Sequence, residues 1–489
     1  MILCFLEISC ISGDMLLEGD GMEKSPFYLI LGLGRTGMST ARFLVSRNIP
    51  FYVWDDNLAQ RENAQAEKFS LKNPLDSNFP WEKITGIIVS PGIPHDHPAP
   101  HPVLQAAKMW EQEHQTPLEI MSDLELYIRM YPMHRYIAVT GTNGKSTTTA
   151  LLGHLLTCAN IPTAIGANFG IPVFDLPELN AEGIYVFEVS SYQLETTPSL
   201  SPLVGVLLNI TPDHLERHGG WEGYKAAKEK IFVSHHKMPP IAIIGIDTEA
   251  TEQINEKLKK QKRQKILTVS MKEEEGDIYK KGQELWIKEA KGSRFIFNLK
   301  DLLTLKGVHN AQNVAVAFAA LKSIGVEEET IIAGLKTFPG LVHRQEVVGN
   351  FSGITFINDS KGTNVDATGK ALEIYNDIYW ILGGLPKEDN LLDLQMYFPK
   401  IRRVFLIGAS QTAFSEKLQG HVWYEKCNTL ETATLEAFKW AQKDLKENPS
   451  WAPHILLSPA CASWDQFKSF EERGEKFKEY VQRLKTDAQ

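Results

Sequence analysis

The sequence predicts an α/β protein of three domains, on three observations. The chain has 489 residues, more than one ordinary core holds. Short apolar runs alternate with helical stretches, the pattern of mostly parallel sheets. Each third of the chain also has a strand that runs into a polar or glycine-rich turn and opens a helix, where α/β proteins hold anions.

The first block covers residues 25–121. It reads "FYLILGLGRTG", a helical stretch, "FYVWDD", and later the buried strand and loop "ITGIIVSPGIP". Gly32, Gly34 and Gly37 keep the G-x-G-x-x-G spacing and Asp55 ends the next strand, the fingerprint of a Rossmann-like dinucleotide-binding unit. Spacing alone leaves two readings open. One is a nicotinamide cofactor held by an oxidoreductase. The other is a tight strand-to-helix turn whose glycines serve packing and whose helix N-terminus takes any phosphate.

The second block, residues 122–340, opens with "YIAVTGTNGKSTTTA". Two glycines with Lys-Ser behind a buried strand make a P-loop of shortened form, since Val139 stands where the usual spacing has its first glycine. In such a loop backbone N–H groups cradle phosphates, Lys145 reaches the terminal phosphates and the Ser146 hydroxyl faces Mg²⁺. The plainer alternative is a polar helix cap at Thr142 or Asn143. "IYVFEVSS" runs out at Glu188 and "VLLNITPDH" at Asp213 and His214, the strand ends beyond which ligands lie. A P-loop needs such an acid for Mg²⁺; a helix-capping or solvated acid is the alternative for Glu188. A helix is expected near 222–233, antiparallel strands over "ELWIKEA" and "RFIFNL", and a strong helix over "HNAQNVAVAFAALKSIG". Lys228 in "YKAAKEK" reads, on spacing alone, as a solvent-facing helix position.

The third block, residues 341–489, has strands "ITFINDS", "IYWILGG", "RRVFLIG" and "HILLSPA" alternating with helices. "NDSKGTN" and "LSPACASWDQFKSFEERG" each put short polar side chains and a lysine at a strand-to-helix turn. They form a second anion-grasping face or, more plainly, two capped helices.

Two histidine patterns look metal-like. His214 and His218 stand at i,i+4, but two histidines do not complete a zinc site. His95, His97 and His101 lie in a Pro-rich loop and are expected to be solvated. The formal charge of −9 argues against a nucleic-acid partner. No apolar run approaches the roughly 18–20 residues of a membrane span. The five cysteines show no CxxC pair or disulfide-like spacing, which fits a reducing cytosol. Residues 1–24 have an apolar start without a basic region and are interrupted by Glu7 and Asp14, a poor signal peptide. They are expected to be an extension or an upstream start, with Met15 or Met22 as alternative starts.

Taken together, "GLGRTG", "SPGIP", "TGTNGKST", "GANFG", "EVSSYQLE", "NITPDHLERH", "GVHNAQN", "HRQEVV", "NDSKGTN" and "LSPACASWDQFKSFEERG" resemble the Mur ligases, in the family's order from Phe27 to the end. "TGTNGKS" alone points only to a superfamily that includes folylpolyglutamate synthases. "EVSSYQLE" and "SPACASWDQF" narrow the resemblance to the D-glutamate-adding branch. The alanine-adding branch would show histidine where Asn143 stands, and the diaminopimelate-adding branch a DNPR-type motif.

The resemblance implies a cytoplasmic, ATP-dependent ligase that adds D-glutamate to UDP-N-acetylmuramoyl-L-alanine through an acyl phosphate, acting as a monomer. It implies that the first domain grips the uridine nucleotide through Arg35, Thr36, Asp55 and Ser90, with Asn168 further along the same substrate. ATP would lie against Gly141, Thr142, Asn143, Gly144, Lys145, Ser146, Thr147, Asn310, Asn313 and Arg344. Two Mg²⁺ would be held by Ser146 and Glu188 and by His214 and Lys228, the last carboxylated by CO₂ to a carbamate. D-Glutamate would meet Lys361, Thr363, Ser463 and Phe470; Lys387 joins them in a register that departs from the family's "GGxDK". Lys145, Lys228, His214 and Lys361 are the implied catalytic set. A nicotinamide-dependent oxidoreductase and a non-enzymatic P-loop switch are the rival readings.

Overall fold

The computed structural model describes residues 25–233, 239–302, 304–305, 307–386 and 390–487. Residues 1–24 and Lys387 therefore lie outside the described residues. The chain divides into two compact units, one running up to Ile93 with Pro100–Asp123, the other comprising Pro94–Ala99 with Leu124–Gln489.

The first unit holds a four-stranded parallel sheet of β1 (Tyr28–Leu31), β2 (Phe51–Trp54), β3 (Gly86–Val89) and β4 (Glu119–Met121), in the order β2-β1-β3-β4. Helix α1 (Arg35–Ser46) follows the glycine turn. Gly37 has to be glycine, because a Cβ there would meet the Gly32 carbonyl oxygen at 1.9 Å. That contact seats the helix on the strand it leaves.

The second unit carries two sheets. The larger has nine strands: β5 (Tyr136–Thr140), β6 (Thr163–Ala167), β7 (Ile184–Glu188), β8 (Val204–Leu207), β9 (Ile241–Gly245), β10 (Ile266–Ser270), β11 (Ile278–Lys281), β12 (Glu284–Glu289) and β13 (Gly292–Asn298). Their order is β13-β12-β11-β10-β9-β8-β5-β7-β6. The strands from β6 to β11 pair in parallel and β12 and β13 close one edge antiparallel, as the alternating segments predict. Strand β5, "YIAVT", is buried at every residue, which suits a parallel strand covered on both faces. Helix α2 (Lys145–Cys158) opens from the P-loop, and short α3 (Ser191–Glu195) follows β7. Then come α4 (Trp221–Glu229) and α5 (Val308–Ser323). Residues Val314–Leu321 of α5 are fully buried in the core shared with β5, β8 and α2. Burial all around, rather than on one stripe, explains the alanine-rich composition: small side chains let the helix pack from every side.

The second sheet has six strands: β14 (Glu346–Phe351), β15 (Ile354–Asn358), β16 (Ile378–Gly383), β17 (Ile401–Ile407), β18 (Tyr424–Asn428) and β19 (His454–Leu457). The order is β14-β15-β19-β16-β17-β18, parallel except for the β14–β15 hairpin. Helices α6 (Val365–Ile374) and α7 (Phe470–Asp487) follow the two polar turns.

Sheet order explains where chemistry collects. Strands β8, β5 and β7 are neighbours, so the P-loop, Glu188 and the Asn209–His214 segment leave the sheet side by side. Strands β15 and β19 are also neighbours, which brings Asp359–Lys361 next to Ser458. Both groups stand beyond carboxyl ends of parallel strands.

Candidate active site

The P-loop is held open by its own backbone. Gly141 has φ +154° and Gly144 φ +87°. A Cβ at Gly144 would meet Asn313 Oδ1 at 2.4 Å, so the glycine also makes room for α5. The Thr142 N–H donates to the Asn209 carbonyl at 2.9 Å, and the Asn143 N–H to Asn209 Oδ1 at 2.9 Å. Thr142 Oγ1 is 3.0 Å from the Tyr224 hydroxyl and donates to the Thr211 carbonyl at 3.1 Å. Asn209, Thr211 and Tyr224 thus brace the loop from β8 and α4.

Two lysines converge on one oxygen. Lys145 Nζ donates to the Gly141 carbonyl at 2.8 Å and to that of Thr142 at 2.9 Å. Lys228 Nζ donates to the same Gly141 carbonyl at 2.9 Å. Lys228 is 1% exposed, which overturns its reading as a solvent-facing helix position: α4 turns that face onto the loop. Burial and then Lys145 push the Lys228 ammonium well below the ordinary lysine range, against the pull of Asp213 and Glu188. Burial likewise lowers Lys145, opposed by Glu188 and Asp213.

Glu188, 3% exposed, ends β7 with one oxygen satisfied. Its Oε1 accepts from Asn168 Nδ2 at 2.6 Å, while its buried Oε2 has no hydrogen-bond partner. Asn168 therefore stands beside Glu188 and belongs to the second unit, whereas the other four residues assigned to the nucleotide substrate belong to the first. His214 caps a short turn in the left-handed conformation and is 3.5 Å from Asp213 Oδ2. Burial lowers its imidazole; Asp213 raises it, and His218, Lys145 and Lys228 lower it further. A His214–His218 zinc grip does not form. Both His218 ring nitrogens are taken, Nδ1 by Glu195 at 2.7 Å and Nε2 by the Ser191 hydroxyl at 2.9 Å. Among the described residues, no three His, Cys, Asp or Glu side chains are arranged to hold a metal ion.

A cavity joins the loop to the second sheet. Asn143, Gly144, Thr147, Asn310 and Asn313 line it from one side, and Arg344, Asp359 and Lys361 from the other. Asn313 Oδ1 accepts from Thr148 Oγ1 at 3.2 Å and its Nδ2 donates to Asn310 Oδ1 at 3.1 Å. Leu305, Phe338 and Leu341 give an apolar stretch of wall. Arg344 is close enough for its charge to act on Lys145, and its own pKa is lowered by burial against Asp359 and Glu188.

Lys361 lies 3.8 Å over the Phe470 ring. Thr363 follows in the same turn, its N–H on the Lys361 carbonyl at 2.8 Å. Ser463 is buried, and its carbonyl accepts the Phe467 N–H at 2.8 Å. Arg473, fully buried, ties the two turns together through Ser360 and the Cys461 carbonyl.

The sequence alone assigns no role to Asp359 in "NDSKGTN" or to Asn209 in "NITPDH". Asp359 is buried, accepts from Ser458 Oγ at 2.6 Å, and is pushed up to about 7 by burial despite Ser458 and Arg344. An acid directly between a strand end and Lys361 was the available signal.

In the first unit, Arg35 and Thr36 open α1. Asp55 Oδ2 accepts the Leu33 N–H at 2.6 Å, and Ser90 Oγ donates to the Gly32 carbonyl at 3.0 Å. The four residues named for the nucleotide surround one turn. Of the three histidines in the loop after β3, His97 is exposed as expected and the other two are not. His95 is largely buried against Glu195 and Arg217, while His101 pairs with Asp56 at 2.9 Å.

Residues 139–321 match the Mur ligase middle domain and residues 27–110 the Mur ligase MurD-like N-terminal domain. The chain is 42% identical over 456 residues to the UDP-N-acetylmuramoylalanine–D-glutamate ligase of Rhodospirillum rubrum, covering 92% of this chain and 93% of that one. It is 41% identical over 465 residues to the enzyme of the same name from Caulobacter vibrioides, covering 93% and 95%. Among solved structures it is similar to the UDP-N-acetylmuramate–alanine ligase of Thermotoga maritima, with a TM-score of 0.55 at 16% identity over 94% of this chain and 99% of that one. It is also similar to Mycobacterium tuberculosis folylpolyglutamate synthase complexed with ADP and AMPPCP, with a TM-score of 0.53 at 15% identity over 72% and 93%. At these identities the two structures speak for the fold alone.

Proposed function

Because the chain belongs to the Mur ligase family, among the UDP-N-acetylmuramoylalanine–D-glutamate ligases, we propose that it uses ATP to join D-glutamate to UDP-N-acetylmuramoyl-L-alanine. The reaction belongs to peptidoglycan precursor synthesis in the cytoplasm. The observation that carries the reading is one cavity with a P-loop on one wall and Arg344, Asp359 and Lys361 on the other. A nicotinamide enzyme or a bare nucleotide switch has no use for the second wall.

ATP would lie with its phosphates on the N–H groups of Gly141–Lys145 and its base toward Asn310, Asn313 and the apolar wall. Lys145 gives up the Gly141 and Thr142 carbonyls for the phosphates, and Arg344 adds a second positive charge. The alanyl carboxylate attacks the γ-phosphorus, the bond to the β-phosphate oxygen breaks, and ADP leaves. The amine of D-glutamate then attacks the acyl phosphate carbon and phosphate departs. Lys361, held over Phe470, with Thr363 and Ser463, would bind the D-glutamate carboxylates. Arg35, Thr36, Asp55 and Ser90 would hold the uridine nucleotide, and Asn168 the substrate near its reacting end.

The residues present fit a divalent cation. The buried, unpartnered Glu188 Oε2 is an acceptor waiting for a positive charge. Ser146 and Glu188 would hold one Mg²⁺, and His214 with a carboxylated Lys228 the second. Mg²⁺ would supply charge neutralisation for the phosphates and the acyl phosphate. Lys228 is suited to carboxylation because burial favours its neutral amine, the form that attacks CO₂ and releases a proton. The resulting anion would be attracted to Lys145 and would give the cation a negative ligand.

The test is phosphate release by the purified protein. It should require UDP-N-acetylmuramoyl-L-alanine and D-glutamate together; equal turnover with L-glutamate would overturn the assignment.

A further inference from the structure

Residues Pro94–Ala99 pack with the second unit, and His95 enters a buried polar cluster that the reaction above does not use. The side chains of His95, Glu195 and Arg217 are 14%, 17% and 12% exposed, and that of His218 is fully covered. Glu195 Oε1 accepts from His218 Nδ1 at 2.7 Å. Glu195 Oε2 lies 3.2 Å from His95 Nε2, in reach though poorly aligned, and 3.7 Å from Arg217. Arg217 Nη2 is 3.0 Å from His95 Nδ1.

A guanidinium only donates. His95 Nδ1 is therefore the acceptor, and the ring proton sits on Nε2, facing Glu195.

Arg217 passes this order on. Its guanidinium lies 5.0 Å over the Tyr192 ring. Tyr192 stacks on His218 at 5.3 Å and 17°, and leans on His214 at 5.3 Å. His214 needs such support. It has φ 51° and ψ 29°, a left-handed conformation that is strained for a non-glycine residue and persists only where the surroundings over-determine it. Its own side chain is 53% exposed. The Tyr192 ring leans on that side chain, and the His214 carbonyl accepts the Arg217 N–H at 3.0 Å.

We propose that His95 is a positioning residue: through Arg217 and Tyr192 it sets the His214 imidazole in place for the second cation. The inference rests on the reading of His214 as a cation ligand. His95 itself touches no reacting atom.

The experiment is Mn²⁺ titration, followed by electron paramagnetic resonance, of the whole protein with a non-hydrolysable ATP analogue, alongside steady-state kinetics. In His95→Ala one of two Mn²⁺ ions should bind about 10-fold more weakly, the scale on which outer ligand supports act. kcat should fall by a similar factor while KM for D-glutamate stays within about twofold. His95→Gln keeps an N–H for Glu195 and a carbonyl for Arg217, and should restore most of the loss. Unchanged Mn²⁺ affinities in His95→Ala would overturn the proposal. If that variant does not fold, Arg217→Lys carries the same test: it keeps the charge but loses the flat face on Tyr192, and normal Mn²⁺ binding there overturns the proposal too. Wild-type protein that takes up fewer than two Mn²⁺ ions refutes the two-cation reading and the proposal with it, a failure visible before any variant is made.

Discussion

Replacing Lys228 by methionine should abolish turnover without weakening the fold. The side chain is 1% exposed and its amine shares the Gly141 carbonyl with Lys145. Methionine keeps most of the volume. Removing the nitrogen leaves no orphaned acceptor, because Lys145 still bonds that oxygen. What disappears is the cost of burying an amine beside a second cation. Exchanging a buried ionised group for a packed apolar one is often neutral or stabilising by about 1–4 kcal/mol. Lys228→Met should therefore melt at or above the wild type near neutral pH in CO₂-free buffer. The sign of the pH dependence follows from linkage. The folded-state pKa is depressed below 10.5, so between the two values the unfolded chain binds the extra proton and wild-type stability rises with pH. The advantage of the variant should shrink as pH climbs toward 10.5. Calorimetry over that range gives the stability, and phosphate release gives the activity. Adding CO₂ should raise wild-type turnover and leave the variant unmoved. In Lys228→Ala, which leaves space, a small carboxylate such as acetate should restore part of the activity. A variant less stable than wild type by about 2 kcal/mol or more would refute the account of a strained amine; full activity would refute the carbamate.

Three further outcomes follow from the same geometry. Asp359 has a folded pKa of about 7 against 3.8 unfolded, so the folded state binds the extra proton and stability is lost as pH rises from about 4 to 7; Asp359→Asn should flatten that slope, worth up to about 4 kcal/mol, in thermal melts across that range. Gly144→Ala puts a methyl 2.4 Å from Asn313 Oδ1 at φ +87°, and should raise KM for ATP about 10-fold with KM for D-glutamate unchanged in initial-rate assays. Phe470→Leu removes the ring 3.8 Å beneath Lys361; freeing the ammonium should raise KM for D-glutamate several-fold, in line with a cation–π contact of about 0.5–1 kcal/mol, and leave KM for ATP unaltered.

What the sequence by itself determined is local. Alternating apolar runs set the strands, since a parallel strand must be apolar on both faces to sit between helices. Glycines at 141 and 144 and the Lys-Ser after them set a phosphate-binding turn, because its backbone shape and charge are written within a few residues. Glu188 was legible for the same reason: it is the last residue of a strand, and strand ends are where such sheets bind ligands. Resemblance supplied the rest of the family reading. Tertiary structure decided which distant residues meet. Spacing put Lys228 in solvent, and only the packing of α4 on the P-loop buried it. Asn209 and Asp359 became part of the site because β8 lies next to β5 and β15 next to β19, neighbours set by crossovers rather than by chain order. His95 read as one of three solvated histidines in a proline-rich loop; its burial depends on a carboxylate and a guanidinium placed 100 and 122 residues further on. A side chain's periodicity and immediate neighbours are properties of the chain, but its burial and its partners depend on long-range contacts that exist only once the sheets have assembled.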